Sequence, residues 1–187
     1  MKETRRRKKA GKMRIETERL IITEFTAEMA GDVHENSLDE DNRRFVPDEV
    51  FETVEDAGAA IGFLMSQYGG AEGPLAYPVL TKSGENIGYV QVVPLGNGER
   101  EIGYHIAKKF TGNGYATEAV RAFLPEAAKA TGVSEIQGIC LKDNTASRHV
   151  LLKCGFAPVF EGIGEYQGET REIFRSVWRM PGGGSGA

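Results

Sequence analysis

Hydrophobic and polar positions along this chain change period several times, and each change marks an element. Short apolar or alternating runs at residues 19–25, 76–81, 86–93, 100–106, 135–141, 157–166 and 171–180 predict strands. Helical spacing predicts helices near 27–35, 54–68 and 144–153. After a glycine turn, Ala116, Ala119, Val120, Phe123, Leu124 and Ala127 fall on one face of a further helix, an apolar stripe suited to packing on a sheet. Pro125 within that helix removes one backbone bond and is expected to kink or shorten it. Lys82-Ser83-Gly84-Glu85 and Pro94-Leu95-Gly96-Asn97-Gly98 read as hairpin turns, so the three strands around them should form an antiparallel meander. The pattern is that of a mixed α/β (α+β) domain without internal repeats.

Composition narrows the class. A chain of 187 residues, 40% hydrophobic and 27% charged, suits one globular domain, placed here at residues 13–180. Such a domain can bury roughly 70% of its unfolded surface. No apolar run approaches the ~20 residues of a membrane span, and the basic N-terminus is not followed by an apolar stretch, so a cytoplasmic location is expected. Cys140 and Cys154 have neither metal-ligand nor disulfide-framework spacing and read as reduced core residues. His34, His105 and His149 are scattered, and no metal is expected.

Charge singles out the ends. Residues 1–12 hold seven Lys/Arg against one Glu, a balance of +6 in a chain of net charge −4, which leaves −10 on the remainder. This tail reads either as a contact to a phosphate backbone or ribosome, or as a disordered extension. Residues 181–187 have the composition of a flexible Gly-rich linker.

The segment Lys109-Phe110-Thr111-Gly112-Asn113-Gly114-Tyr115-Ala116 joins a strand to a helix and carries the clearest chemistry. A helix start leaves about four N–H groups unpaired and concentrates roughly half a positive charge. Two glycines let the backbone turn those amides toward one anion without a side chain in the way. The amides of Gly112 to Ala116 are the expected donors. Thr117 stands where a dinucleotide fingerprint needs its third glycine, and no Gly-Lys-Ser/Thr follows for a triphosphate loop. A flexible turn opening a helix is the plainer alternative.

Lys109-x-x-Gly112-x-Gly114 resembles the Arg/Gln-x-x-Gly-x-Gly/Ala signature of the GNAT acetyltransferases, with Lys in first place. Asn144-Thr145-Ala146-Ser147 through Lys153-Cys154-Gly155-Phe156 resembles the family's second signature, and Ile15-Glu16-Thr17-Glu18-Arg19-Leu20-Ile21-Ile22 resembles the opening strand of its RimJ/RimL branch of ribosomal-protein N-terminal acetyltransferases. The resemblance implies a central, mostly antiparallel split sheet of about six to seven strands flanked by about four helices. It also implies acetyl-CoA as cosubstrate, without a metal, held by Ile106, Lys109, Gly112, Asn113, Gly114, Tyr115, Ala116, Asn144 and Lys153. The amide at Ile106, where sheet pairing is interrupted, is the expected donor to the pantetheine and the thioester carbonyl. Asn144 is expected to bind backbone or CoA, with helix capping as the alternative.

Many family members carry a tyrosine that protonates the departing thiolate; Leu151 stands at that position here. Ser147 is the substitute implied by the RimL-like members. For the general base the order is Glu165, then His105, then Glu101. The acceptor is an amine: Asp39, Glu40, Asp41, Asp48, Glu49, Glu161, Glu165 and Glu169 favour a cationic one such as a peptide N-terminus, polyamine or aminoglycoside. A homodimer fits the reading; a membrane partner does not, and nucleic acid is expected only as a ribosome contact of the tail. Two other classes stay open: a catalytically weak acetyl-CoA-binding regulator, and an RNA- or ribosome-associated protein that uses the tail.

Overall fold

Local rules explain most of the elements. In a computed structural model that describes residues 12–182, the chain runs through β1 (Ile15–Glu16), β2 (Leu20–Ile22), α1 (Ala30–Ser37), α2 (Glu40–Phe45), α3 (Val54–Gln67), β3 (Leu75–Thr81), β4 (Asn86–Gly96) and β5 (Glu99–Ile106). It continues through α4 (Tyr115–Thr131), β6 (Glu135–Leu141), α5 (Thr145–Lys153), β7 (Ala157–Tyr166) and β8 (Glu169–Arg179). Residues 1–11 and 183–187, most of the basic tail and of the Gly-rich end, lie outside the described residues. Thr53 caps α3 by accepting from the Asp56 amide, and Gly132 ends α4 in the left-handed conformation at φ 73°.

The strands form one eight-stranded sheet in the order β1-β2-β3-β4-β5-β6-β8-β7. The meander β3-β4-β5 is as expected. Two counts differ. The strand expected over 19–25 is confined to β2 (Leu20–Ile22), and the short strand β1 precedes it across Thr17–Arg19, which brings the total among the described residues to eight. Among the described residues there are five α-helices rather than four, because α2 forms around an Asp39 cap, with Glu40 and Asp41 in its first turn and Arg43 and Arg44 in its last. That arrangement complements the helix dipole but is too short to show a hydrophobic period. Nor does Pro125 shorten α4, which runs six residues past it to Thr131.

The sheet is nearly severed in the middle. β5 and β6 run parallel and pair only at Glu101↔Gln137, whereas β6 pairs with β8 from Glu135↔Arg179 to Leu141↔Ile173. Beyond that bridge β5 and β6 part. The Ala107 amide donates to the Ile87 carbonyl at 2.9 Å on the β4 side, so by strand alternation the amides of Tyr104 and Ile106 face the gap.

α4 spans the gap from one face. Its buried residues Ala119, Val120, Phe123, Leu124 and Ala127 join one core with Ile102 and Ile106 of β5 and Ile136 and Cys140 of β6. Each fully buried Phe, Ile or Leu contributes about 1.5–3 kcal/mol. A smaller cluster of Phe25, Ile61 and Ala76 seats α1 and α3 near the other face. No helix among the described residues is long and apolar enough to cross a membrane.

Leu151, where a catalytic tyrosine was sought, is fully buried. A Cβ on Gly138 of β6 would sit 2.5 Å from the Leu151 Cδ2 and 3.1 Å from the Phe156 ring, so this glycine lets α5 lie against the sheet. Gly138→Ala should therefore cost about 1–3 kcal/mol by overpacking. In a Leu151→Ala background the cost should shrink, which denaturant unfolding of the double-mutant cycle will measure; equal costs in both backgrounds would refute the contact.

Candidate active site

The glycine turn takes the geometry an anion cradle needs. Gly112 (φ 81°) and Gly114 (φ 77°) are both left-handed, and α4 starts at Tyr115 without a side-chain cap on its first amides. A Cβ on Gly112 would meet nothing within 4 Å, so the approach is open. Arg19 braces the turn from outside: it donates to the Asn113 carbonyl at 2.9 Å and to Glu118 Oε2 at 2.7 Å, and its guanidinium lies 4.6 Å from the Tyr115 ring centroid. Burial would raise the Glu118 pKa, but hydrogen bonds from Thr17 and Arg19 outweigh it and hold the carboxyl below its ordinary range. The acid in the first turn of α4 is thereby neutralised where it would oppose an anion.

Gly112, Gly114, Tyr115, Ala116, Ile106, Asn144 and Lys153 all line a cleft of about 1040 Å³ between β5, β6, α4, α5, α2 and the β7–β8 hairpin. Two expected members are elsewhere. Lys109 is exposed and paired with Glu85 at 3.3 Å, and the Asn113 side chain bonds the carbonyls of Phe110 and Thr111. Lys108, not Lys109, borders the cleft, where it pairs with Asp41. Asn144 caps α5, its Oδ1 accepting from the Ser147 amide at 3.0 Å.

The α4/α5 face of the cleft presents a hydroxyl pair. Tyr104 donates to the Ser147 carbonyl at 3.0 Å, and its oxygen lies 2.8 Å from Ser147 Oγ. Burial raises the Tyr104 pKa well above the ordinary phenol value, so the hydroxyl stays protonated. Cys140 lies beside this pair, its thiol pushed up to about 11 by burial. Tyr104 was not anticipated; alternation along β5 puts it on the side of Ile102 and Ile106, which reads as plain core.

Glu101 and His105 project from the opposite face, with Gly103 between them. His105 is held by Asp39 at 3.0 Å, and burial lowers its pKa despite that carboxylate. Gln91, paired with Gly103 across the β4–β5 seam, donates to Glu49 Oε1 at 2.6 Å. A Cβ on Gly103 would come within 2.9 Å of the Gln91 side chain, so this glycine makes room for the amide. Glu49 follows α2 and enters the same cleft. Tyr166 donates to the Phe45 carbonyl at 3.1 Å and ties the β7–β8 hairpin to α2. Glu165 borders the cleft but is exposed, with no hydrogen-bond partner among the described residues.

Glu49 and Glu101 are the two cleft acids whose pKa is raised. Burial lifts each pKa from 4.5 to about 7; a hydrogen bond from Gln91 opposes the shift at Glu49, and at Glu101 the pull of Arg175 is set against the nearby Glu49 charge. A carboxyl raised on folding contributes most below its unfolded pKa and loses that contribution as pH rises through the folded one. From these two groups the protein should lose stability between about pH 4.5 and 7. Glu49→Gln removes one titration, so its melting temperature relative to wild type should climb from pH 5 to pH 8; a difference independent of pH would contradict the assignment.

Comparison with known proteins agrees with this geometry. The acetyltransferase (GNAT) domain matches residues 19–157. The uncharacterized N-acetyltransferase YnaD of Bacillus subtilis (strain 168) is 30% identical over 145 residues, covering 76% of this chain and 82% of that protein. A GNAT-family acetyltransferase structure from Bacillus anthracis is 26% identical with a TM-score of 0.73, covering 89% of this chain and 98% of that one. RimL, a ribosomal L7/L12 α-N-protein acetyltransferase in complex with coenzyme A, shares the fold at a TM-score of 0.76 and 16% identity, covering 90% of this chain and 98% of that one. With the split sheet and the glycine turn at the head of α4, the chain belongs to the GNAT acetyltransferase family and is an acetyl-CoA-dependent N-acetyltransferase.

Proposed function

We propose that this enzyme acetylates a primary amine, either a peptide N-terminus or a small molecule, and that Glu101 accepts the proton the amine must lose. The observation that carries this reading is the position of Glu101: half-buried, without an ion pair among the described residues, at the last bridge before β5 and β6 part. A carboxyl of pKa about 7 is half ionised at neutral pH and suited to general base work. Glu165, placed first by the sequence, is exposed at the edge of the cleft, and His105 is committed to Asp39.

Acetyl-CoA supplies an acetyl thioester and a thiolate leaving group. The cradle amides from Gly112 to Ala116 suit its diphosphate. The amides of Tyr104 and Ile106, directed into the gap, suit an oxygen that gains negative charge. On the other face of β5, Ser147 in the first turn of α5 and Tyr104 form a hydrogen-bonded pair able to pass a proton toward a thiolate. Holding the reactants between these groups supplies much of the rate, so few groups need strong chemistry.

The test is free-thiol release from acetyl-CoA as amines are added, with acetyl-CoA affinity measured by calorimetry on the same samples. Glu101→Gln should lower kcat on the order of 10²-fold, and the rise of wild-type activity through about pH 7 should vanish in it. A retained rate and retained pH limb would remove Glu101 as base. Ser147→Ala should lower turnover while leaving acetyl-CoA affinity intact. Gly114→Asp should abolish that affinity by placing a carboxylate at the anion site; unchanged binding would overturn the cradle.

A further inference from the structure

Among the described residues, three that line this cleft, Asn42, Glu49 and Arg175, each hold a buried polar side-chain atom without a partner, and the last two are of opposite charge. Glu49 uses Oε1 on Gln91, but its Oε2 is buried without a hydrogen bond, and the Arg175 Nε is buried without one as well. Both side chains line the cleft. Their placement follows from register: Glu101 pairs with Gln137, Gln137 with Val177, and Ile139 with Arg175. Arg175 therefore emerges on the same face as Glu101, across β6 and one side-chain step further toward the parted end. Between them Gly103 contributes no side chain to the floor. Among the described residues, neither Glu49, Glu101 nor Arg175 is in an ion pair, although fourteen other pairs form within 4.0 Å.

Charges brought into one recess and held apart are expensive to leave unanswered. A ligand that carries both complements answers them. Building on the amine-acetylation reading, we propose that Glu49 and Arg175 are the two poles of the acceptor site: Glu49, beside Glu101, receives the ammonium, and Arg175 donates to an oxygen on the carbon next to the amine-bearing one. The acceptor is then an α-amino compound, with a carboxylate as in a free amino acid or a carbonyl as in a peptide N-terminus. A polyamine fits poorly, since its second cation would face Arg175 instead of an oxygen. Phe160, whose ring centroid lies 6.0 Å from the Arg175 guanidinium, and Ile139 give that pole an apolar surround that strengthens a hydrogen bond to it.

A matched set of acceptors decides the matter: leucine, leucinamide, 3-methylbutylamine, which has the leucine side chain and amine without the oxygen, and putrescine. Wild-type kcat/KM should be at least about tenfold higher for leucine or leucinamide than for 3-methylbutylamine, the value of one charge-assisted hydrogen bond. Whichever of the two is faster distinguishes a free amino acid from a peptide N-terminus. Arg175→Gln should bring that ratio to within about twofold of unity by raising KM rather than lowering kcat, and Glu49→Gln should raise KM about tenfold for the α-amino acceptors. Acetyl-CoA affinity serves as the folding control, and should a variant lose it the wild-type ratios decide alone. Putrescine or 3-methylbutylamine as the best acceptor, or an unchanged ratio in Arg175→Gln, would overturn the two-pole site while leaving the transferase standing. Acetyl-CoA binding without thiol release for any of the four would overturn both.

Discussion

Everything in this molecule turns on one pair of strands that meet once and then separate. After Glu101↔Gln137 the backbone of β5 has no partner on its β6 side, and two amides face open space. Unpaired backbone donors are costly unless water or a ligand satisfies them, so the gap must be held open by something stronger. Two continuous seams do this: β4 against β5 on one side and β8 against β6 on the other. α4 then packs against β2, β4, β5 and β6 and fastens the halves together across their shared core. The helix that braces the gap also begins at the glycine turn, so support of the split and placement of the anion cradle are one construction.

The acceptor side follows a different economy. Glu49 and Glu101 lose solvation when the chain folds, and nothing in the protein repays them fully. On the proposed reading, the stability expected to be lost between pH 4.5 and 7 accompanies two carboxyls that titrate where the amine would be bound and deprotonated. Gln91 keeps Glu49 in place with a single hydrogen bond, and Gly103 is small so that Gln91 can lie there. His105 has a structural place in the same scheme: bonded to Asp39, the cap of α2, it fastens the segment that carries Glu49 to β5.

What could be read in advance was local. The meander, the glycine turn and the α5 signature are set by neighbours in sequence, through period, turn residues and helix-start chemistry, and each lies where its residues imply. α2 escaped because six residues cannot display a helical period, although Asp39 followed by two acids and two arginines carried the capping signal. The proposed base, Glu101, stands last in the order read from the sequence for another reason. Burial separates Glu101 from Glu165, and burial of a strand residue depends on what crosses over it, here α2 and the β7–β8 hairpin. Likewise Asn144 was readable as a polar residue of importance, but whether its oxygen serves a cap or a ligand is settled only by the position of the Ser147 amide.

The period of a strand also explains how so few residues supply three kinds of function. Along β5 the side chains of Glu101 and His105, with Gly103 between them, lie on the face of the proposed acceptor site, and those of Ile102, Tyr104 and Ile106 face α4 and α5. The strand edge, freed by the split, offers the amides of Tyr104 and Ile106 to the space between. The proposed proton acceptor on one face, the tyrosine of the hydroxyl pair on the other and donors along the edge therefore come from a single run of six residues, in an order no helix could provide. An amine entering over Glu101 and a thiolate leaving past Ser147 would move through the plane of the sheet, and that passage exists because β6 turns away after one bridge.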